Sequence, residues 1–259
     1  MKFSPLTEED GLRMKIEIAT CSYPGGRDYN EDSVRHLEQN GVCAVAVADG
    51  LGGHGGGQIA SSLAADYITQ VFMENPKIDR EYIRHLFNKA NAMVIDAQTP
   101  TQKMKSTTVA LLIKDSSAIW GHVGDSRLYH FIDGCLTGRT LDHSVSQMAV
   151  FSGEITQEQI RHHEDRNRLL RAMGGNCEIK AEISSQQSLK PGFHAFLLCT
   201  DGFWEYVLEP EMELELARTE APKNWLQAMA RKIPARAPKD NDNYSAAAVF
   251  VNMNEWRLR

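Results

Sequence analysis

Two strand-length segments of this chain are apolar almost throughout, and they restrict the fold more than any other feature. They are VCAVAVA at 42–48 and YSAAAVFVN at 244–252. A strand with one face in water alternates polar and apolar residues, whereas a strand covered on both faces is apolar throughout. We therefore predict sheets that are covered on both sides by other layers of the protein.

The remaining hydrophobic periodicity predicts the order of the other elements. Apolar spacing of three and four predicts two helices, around Ile59–Val71 and Ile83–Ala97, and Asp133-Gly134 predicts a tight hairpin. Further strands are predicted at 14–21, 33–37, 106–114, 118–123, 127–132, 179–185 and 194–199, and further helices at 209–218 and 223–232. This order lacks the regular alternation of a doubly wound fold, so it favours an α+β protein with antiparallel sheets and helices packed outside them.

The length of 259 residues suits a single domain. Residues 1–12 form a polar lead-in, and residues 142–176 are polar and rich in His and Arg, which predicts an inserted helical lobe. Met148 and Phe151 are expected in the core of that lobe. Trp120 and Trp204 are expected in the main core.

Composition excludes several functional classes. The formal net charge of −6 argues against a nucleic-acid binder and against a basic membrane-surface protein. No segment has the apolar length of a membrane-spanning helix, and the N-terminal acids do not fit a signal peptide. The five cysteines are scattered and include no C-x-x-C pair, which is typical of reduced thiols in a cytoplasmic protein.

Five aspartates lie where apolar strands meet loops. Asp49, Asp125 and Asp201 follow predicted strands, and Asp32 and Asp242 precede them. An Asp before Gly can be a simple turn residue, but five acids at strand ends would converge and repel one another in a half-buried site. Hard divalent ions such as Mg²⁺ or Mn²⁺ prefer oxygen ligands of this kind. A metal site is therefore favoured.

Other catalytic patterns are weak. The glycine run at 52–57 lacks the residues of a P-loop, so we expect it to allow close backbone approach, leaving the Gly50 carbonyl as a ligand and starting a helix near Gln58. The sequence has no G-x-S-x-G motif, and its histidines lack the helical spacing of a zinc site.

Short motifs that are weak singly become specific as an ordered set. They are GRDYNEDS at 26–33, ADGLGGH at 48–54, STT at 106–108, GDSR at 124–127, LDHS at 141–144, RN at 166–167, RAMG at 171–174, TDG at 200–202 and DNYS at 242–245. In this order the chain resembles the metal-dependent serine/threonine protein phosphatases (PPM family, type 2C) in their compact bacterial form. The resemblance covers about residues 14–252.

The resemblance implies a four-layer α-β-β-α sandwich of two antiparallel sheets, with residues 142–176 as its variable flap. It also implies two Mn²⁺ or Mg²⁺ ions, and a third, looser ion that many bacterial members use. The implied metal ligands are Asp49 bridging both ions, the Gly50 carbonyl, Asp201, Asp242, Asp32 through water, and Asp125 for the third ion. Glu31 would assist Asp32, and the planar fork of Arg27 would clamp the substrate phosphate.

The implied reaction is an in-line attack on phosphorus by a hydroxide shared between two ions, without a phospho-enzyme. Some family members have a general-acid His directly after the Asp-Gly of the second motif, where this chain has Leu51. His54 could replace it, or could cap or pack a helix instead.

Four flap arginines leave two interpretations open. Arg161, Arg166, Arg168 and Arg171 could dock phosphorylated proteins, or could form a solvated face paired with Glu158, Glu164 and Asp165. The expected partners are phosphorylated Ser/Thr proteins and a cognate Ser/Thr kinase, with the enzyme a monomer. The alternatives are a two-metal small-molecule phosphohydrolase and a catalytically silent scaffold of the same fold.

Overall fold

The apolar segments form interior strands of two antiparallel sheets in a computed structural model, which describes residues 13–52 and 55–254. The strands are β1 Arg13–Tyr23, β2 Ser33–Gln39, β3 Val42–Ala48, β4 Gly50–Leu51, β5 Lys105–Ser106, β6 Thr108–Lys114, β7 Ser117–Val123, β8 Arg127–Ile132, β9 Cys135–Arg139, β10 Glu182–Ile183, β11 Gln187–Ser188, β12 Gly192–Cys199 and β13 Tyr244–Asn254. The helices are α1 Gly56–Glu74, α2 Arg80–Asp96, α3 Val145–Ser152, α4 Asp201–Trp204, α5 Glu209–Leu216, α6 Pro222–Ala230 and α7 Ile233–Arg236.

The two sheets have different strand orders. One runs β1-β13-β12-β8-β9, and the other runs β10-β7-β6-β3-β2, with β11 also paired to β7. A short ribbon of β4 and β5 stands apart from both. Since β3 and β13 each lie between two neighbours, their backbone groups pair on both sides, which suits their apolar sequences.

The side chains of β3 show why no polar residue interrupts it. Ala44, Ala46 and Ala48 pack in a cluster with α1 and α2, whereas Cys43, Val45 and Val47 pack in the cluster between the sheets. On the far side, α5 and α6 cover the other sheet. The predicted four-layer α-β-β-α sandwich is confirmed.

Local signals fix several element ends. The Asp79 side chain accepts a hydrogen bond from the backbone N–H of Tyr82 and caps α2. In the predicted hairpin, Ile132 faces Cys135, and Asp133 and Gly134 both adopt positive φ, as a two-residue type I′ turn requires. Strand β9, which follows this turn, was not predicted because its sequence, CLTGR, is polar and has little alternation.

The flap differs from its prediction. It contains only α3 and a 3₁₀ turn at Glu158–His162, and the predicted strand over 179–185 is reduced to Glu182–Ile183. The assignment of Met148 and Phe151 to a lobe core is wrong, because their exposed fractions are 53% and 63%. The α3 helix buries Ser146, Gln147 and Ala149 instead. A single layer of chain on the main body has an inner face but no core of its own.

The two predicted core tryptophans have different environments. Trp204 is buried, as expected, whereas Trp120 is only half-buried at the edge of the cluster between the sheets. The predicted polar lead-in at 1–12 lies outside the described residues. Across the described ranges, no helix combines the length and apolar character needed to cross a membrane.

Candidate active site

The five aspartates lie together at one end of the sandwich, beside a cleft of about 900 Å³. Asp32, Asp125 and Asp201 are buried, and Asp49 is partly accessible at the cleft floor. The Asp242 side chain is 46% exposed at the rim. The antiparallel sheets explain this clustering, because β3, β7 and β12 end where β2 and β13 begin.

Burial and mutual repulsion both raise the pKa values of the clustered acids. Burial raises the pKa of Asp49 well above its ordinary value, and the charges of Asp201, Asp32, Asp125 and Asp242 raise it further. The pKa of Asp201 is likewise raised well above its ordinary value, first by burial and then by Asp125, Glu205, Asp242 and Asp32. Without added positive charge, this cluster disfavours full ionisation.

Two further members of the cluster have pKa values near neutrality. Burial raises the pKa of Asp32 to about 7, although the hydrogen bond from the Thr200 hydroxyl lowers it. Burial and the neighbouring Asp142 raise the pKa of Asp125 to about 7, although the Arg127 cation opposes the shift.

One buried oxygen in the cluster has no hydrogen-bond donor. Asp32 accepts a bond of 3.0 Å from the Thr200 hydroxyl at Oδ2, but Oδ1 is buried without a partner among the described residues. An orphaned buried acceptor normally costs free energy. A cation or a cation-held water would satisfy it, so the all-oxygen donor set fits a hard divalent ion.

The Ser106-Thr107-Thr108 motif holds the backbone of Asp49. The Asp49 N–H donates to the Thr107 hydroxyl at 3.2 Å, and the Asp49 carbonyl accepts from the Thr107 N–H at 2.9 Å and from the Ser106 hydroxyl at 2.9 Å. Thr107 also bonds the Ser126 hydroxyl at 2.7 Å, directly beside Asp125. The motif thus ties two of the acids to one rigid strand end.

The Arg27 loop approaches Asp242 through two glycines. A Cβ on Gly25 would lie 2.2 Å from the Asp242 carbonyl oxygen, and one on Gly26 would lie 2.0 Å from the Lys239 carbonyl oxygen, so neither position tolerates a side chain. Arg27 Nε lies 3.3 Å from Asp242 Oδ1, and both side chains are about half exposed. The guanidinium is therefore at the cleft rim, where an incoming phosphate can reach it.

Asn243 connects the two sides of the cleft. Its Oδ1 accepts from the Glu31 N–H at 2.8 Å, and its amide donates to the carbonyls of Pro24 and Tyr29 at 2.8 and 2.9 Å. These bonds fix the loop that carries Arg27 against the start of β13. The sequence indicated Asn243 only as part of a motif, since its bonds join residues more than 200 positions apart.

Glu31 and Gly50 meet at the start of α1. Glu31 Oε1 accepts from the Gly57 N–H at 3.2 Å, and a Cβ on Gly50 would lie 2.1 Å from the Gly57 carbonyl oxygen. The predicted close backbone approach of the glycine run is therefore present. Burial raises the pKa of Glu31, while the Gly57 and Gln58 amides lower it. His54, the suggested substitute acid, lies outside the described residues.

A buried ion pair supports Asp125 from behind. Arg127 donates from Nε and Nη2 to the two carboxylate oxygens of Asp142, at 2.8 and 2.6 Å, and its guanidinium lies 3.4 Å from the Trp204 ring centre. The Trp204 indole N–H donates to the Asp125 carbonyl at 2.9 Å. No role for Trp204 at the site was predicted, because its spacing is that of an ordinary core residue.

The flap arginines are mostly neutralised by partners other than those expected. Arg161 pairs with Glu209 at 2.6 Å, Arg166 with Glu205 at 2.6 Å, and Arg168 with Asp165 at 3.0 Å. Only the last pairing was among the alternatives considered. The first two link the flap to α5 and to the residue that follows α4, so these side chains hold the flap in place.

His122, His143 and Glu182 come together at the flap base, although their sequence spacing suggested no metal site. The two imidazole rings are stacked, with centroids 4.6 Å apart and an interplanar angle of 7°. One ion cannot lie in both of these parallel planes, as bonding to a ring lone pair requires. His143 Nδ1 accepts from the Gly124 N–H at 3.2 Å instead, and this bond joins the flap to the Asp125 turn.

Comparison with known proteins agrees with the fold and with the motif set. The profile of the family described as "Protein phosphatase 2C" matches residues 27–239. The serine/threonine phosphatase stp of Listeria monocytogenes serovar 1/2a is 31% identical over 196 residues, which cover 72% of this chain and 77% of that protein. This chain belongs to the protein phosphatase 2C family.

Solved structures share the architecture. The PPM Ser-Thr phosphatase MsPP from Mycobacterium smegmatis, crystallised with cacodylate, superposes with a TM-score of 0.75 and 26% identity, covering 92% of this chain and 98% of that one. The catalytic domain of PstP, solved in complex with two manganese ions, has a TM-score of 0.76 and 24% identity, with coverages of 93% and 100%. The profile match and the Listeria relative confirm the resemblance inferred from the motif set, and the solved structures agree with the fold.

Proposed function

We propose that this protein hydrolyses phosphoserine and phosphothreonine esters in proteins, using two divalent ions held by the aspartate cluster. The observation that carries the proposal is the buried group of mutually repelling carboxylates beside a cleft with an arginine at its rim. Family membership supports the same reaction, and the Listeria relative is named as a serine/threonine phosphatase.

The cluster offers a distinct role to each acid. Asp49 would bridge the two ions, the Gly50 carbonyl would complete one site, and Asp201 and Asp242 would complete the other. Asp125 would help hold a third ion. Bound Mn²⁺ or Mg²⁺ would act as a Lewis acid, which makes water nucleophilic near neutral pH and offsets phosphate charge.

The chain's own residues would bind and orient the substrate. Arg27 at the rim presents a planar fork to two phosphate oxygens, which an ammonium group could not match. Asp32 Oδ1, free of protein donors in the described structure, would accept a hydrogen bond from the attacking water and align it. Glu31 would support the same water network from the start of α1.

The test is phosphate release from a phosphothreonine peptide, with and without Mn²⁺, followed by the same assay on an aryl phosphate. We expect metal-dependent turnover of both. Turnover of the aryl phosphate alone would favour a small-molecule phosphohydrolase, and no turnover with added Mn²⁺ would favour a silent scaffold.

Variants assign the activity to this site. Asp242→Ala should abolish turnover, whereas Asp96→Ala, an exposed acid at the end of α2, should leave it unchanged. A folded, fully active Asp242→Ala protein would contradict the ligand assignment. The physiological proposal is that the enzyme opposes a Ser/Thr kinase as a cytoplasmic monomer.

A further inference from the structure

A second groove lies next to the active-site cleft, on the side towards the flap. It has a volume of about 650 Å³ and lies between the β4–β5 ribbon and the segment 169–180. Leu51 lines both this groove and the aspartate-lined cleft, so the two are adjacent. We call this second space the basic groove, because Lys105, Arg171 and Lys180 line it.

The floor of the basic groove is fixed to the catalytic residues. Gly50 pairs with Ser106 across the ribbon, and Leu51 pairs with Lys105. Ser106 and Met173 exchange two backbone hydrogen bonds, of 3.1 and 2.8 Å, which join the ribbon to the flap base. Lys105 therefore has a defined position relative to the proposed Gly50 ligand.

Helix α2 supports the other wall of the groove. The Gly174 N–H donates to Asn91 Oδ1 at 2.8 Å, and the Gln98 amide donates to the Gly174 carbonyl at 2.7 Å. A Cβ on Gly174 would lie 2.5 Å from the Met104 carbonyl oxygen, so the wall and the ribbon are in tight contact. These contacts join the wall of the groove to both α2 and the ribbon.

The two lysines of the basic groove differ from the paired flap arginines because neither forms an ion pair within the described ranges. Lys105 and Lys180 are both exposed. Arg171 contacts His143 Nε2 and the Lys180 carbonyl, each at 3.2 Å. The described residues that line the groove include three cations and one acid, Glu178, so the groove has an excess of positive charge. By contrast, Arg161, Arg166 and Arg168 are each paired.

The arrangement suits side-chain carboxylates. Lys105 and Lys180 carry separate ammonium groups, and each acts as a point charge that can attract one carboxylate. Neighbouring strands lie about 5 Å apart, so the Lys105 side chain reaches a point about two to four residues of extended peptide from Gly50. A polypeptide with its phosphorylated residue at the aspartate cluster could extend into this groove.

We propose that the basic groove binds Asp and Glu residues beside the phosphorylated residue, so that the enzyme prefers phosphoproteins with acidic flanking sequences. This inference rests on the proposed protein phosphatase function. It adds a substrate class that the cluster of metal-binding acids does not define by itself.

The test uses phosphothreonine peptides of equal length, assayed with Mn²⁺ at low ionic strength. One peptide has Glu at the flanking positions on the N-terminal side, one has Glu on the C-terminal side, and a third has Gln at all of them. We expect the better acidic peptide to exceed the Gln peptide by about five- to tenfold in kcat/KM, mostly through KM, because two or three exposed charge pairs contribute. Salt should reduce the preference.

Charge reversal identifies the residues responsible. The Lys105→Glu/Lys180→Glu double variant should lose the preference while its aryl phosphate turnover stays unchanged. The matched control is Lys89→Glu/Lys223→Glu, which makes the same charge change at exposed positions of α2 and α6 and should retain the preference.

Equal kcat/KM for all three peptides would overturn the groove proposal and leave the phosphatase function standing. A preference that survives charge reversal at Lys105 and Lys180 would also overturn it. Turnover of aryl phosphate with no peptide turnover would overturn the proposed function, and the groove proposal with it.

Discussion

The buried acids of this protein fall into two regions that handle their charge in opposite ways. Asp142 is 5% exposed and meets the guanidinium of Arg127, which is 2% exposed, through two short hydrogen bonds. Asp32 and Asp201 are each 8% exposed, but the charges around them are largely those of other carboxylates. Acids of similar burial therefore lie beside a cation in one region and beside other acids in the other.

The contrast separates structural charge from functional charge. A buried carboxylate with its own counter-ion is complete within the folded chain, and removing the partner leaves an uncompensated charge. A buried cluster of carboxylates is incomplete until positive charge arrives from outside. Asp125 lies at the boundary, since Asp142 raises its pKa and Arg127 lowers it.

The largest expected effect is on catalysis. Asp201→Ala should lower kcat/KM about a thousandfold or more, because metal-ion catalysis contributes several kcal/mol and each 1.36 kcal/mol is a factor of ten. The same variant should be no less stable than the parent without metal, since it relieves repulsion. Phosphate release from a phosphothreonine peptide with Mn²⁺ measures the first effect, and calorimetry of the metal-free proteins measures the second. A metal-free variant that unfolds far more easily would show that Asp201 is structural.

Next in size is the stability of the paired region. Asp142→Ala should lower the free energy of unfolding by about 3 kcal/mol, because the buried Arg127 cation loses both carboxylate hydrogen bonds and keeps the Tyr129 hydroxyl at 3.1 Å and Glu209 at 3.9 Å. Asp165→Ala breaks the pair with Arg168, whose side chain is 69% exposed, and should cost no more than about 1 kcal/mol. Urea titration of both variants compares them. Equal losses of unfolding free energy would show that the buried Asp142–Arg127 pair contributes no more than the exposed Asp165–Arg168 pair.

The pH dependence of metal-free stability should reveal the unpaired region. The pKa of Asp125 is about 7 in the folded protein, raised from its ordinary value near 3.8 by burial and by Asp142. The folded state binds the Asp125 proton more tightly than the unfolded state does. Protonation of Asp125 therefore contributes about 4 kcal/mol to the free energy of unfolding below about pH 4, and this contribution is lost as the pH rises through 7.

The control for this pH dependence is Asp125→Asn, which should have a flatter profile than the parent. Denaturant unfolding in a chelating buffer between pH 4 and 8 measures both profiles. With saturating Mn²⁺ the loss should disappear, because the ion favours the ionised acid. A metal-free parent whose profile runs parallel to that of Asp125→Asn would contradict the raised pKa, since the lowered pKa values of the buried His122 and His130 affect both proteins equally.

The smallest expected effect tests the link between the regions. Trp204→Phe removes the indole bond to the Asp125 carbonyl and weakens the stack on Arg127, which should cost about 1–2 kcal/mol of stability. If Asp125 holds a third ion, the variant should need more Mn²⁺ for half-maximal activity. Trp225→Phe, on the buried face of α6, loses a similar bond to the Met212 carbonyl and should leave the metal requirement unchanged.

The sequence predicted strand bounds best where the residue pattern of the strand is unbroken. The bounds of β3 and β8 agree with the predicted 42–48 and 127–132, because their patterns are unbroken. It failed for Met148 and Phe151, since local patterns cannot show that a flap is one layer thick. The irregular segment after residue 163 is held by distant bonds, such as those from Asn91 to the carbonyls of Asn176 and Cys177.

In the candidate site, the sequence predicted the acids but not the residues that hold them in place. The aspartates were found because strand ends are visible in a sequence and carboxylates have a clear chemistry. The roles of Thr200, Asn243 and Trp204 were not, because each depends on a partner far along the chain. The free lysines of the basic groove were also hidden, since a sequence does not show which cations remain unpaired.

The central claim is that the unpaired acids exist to bind ions, and anomalous diffraction tests it most directly. Crystals grown with Mn²⁺ and measured at the manganese absorption edge should show two strong peaks, both within bonding distance of Asp49, with Asp201 and Asp242 at one of them. A map without peaks among these carboxylates, at a manganese concentration that supports turnover, would contradict the account.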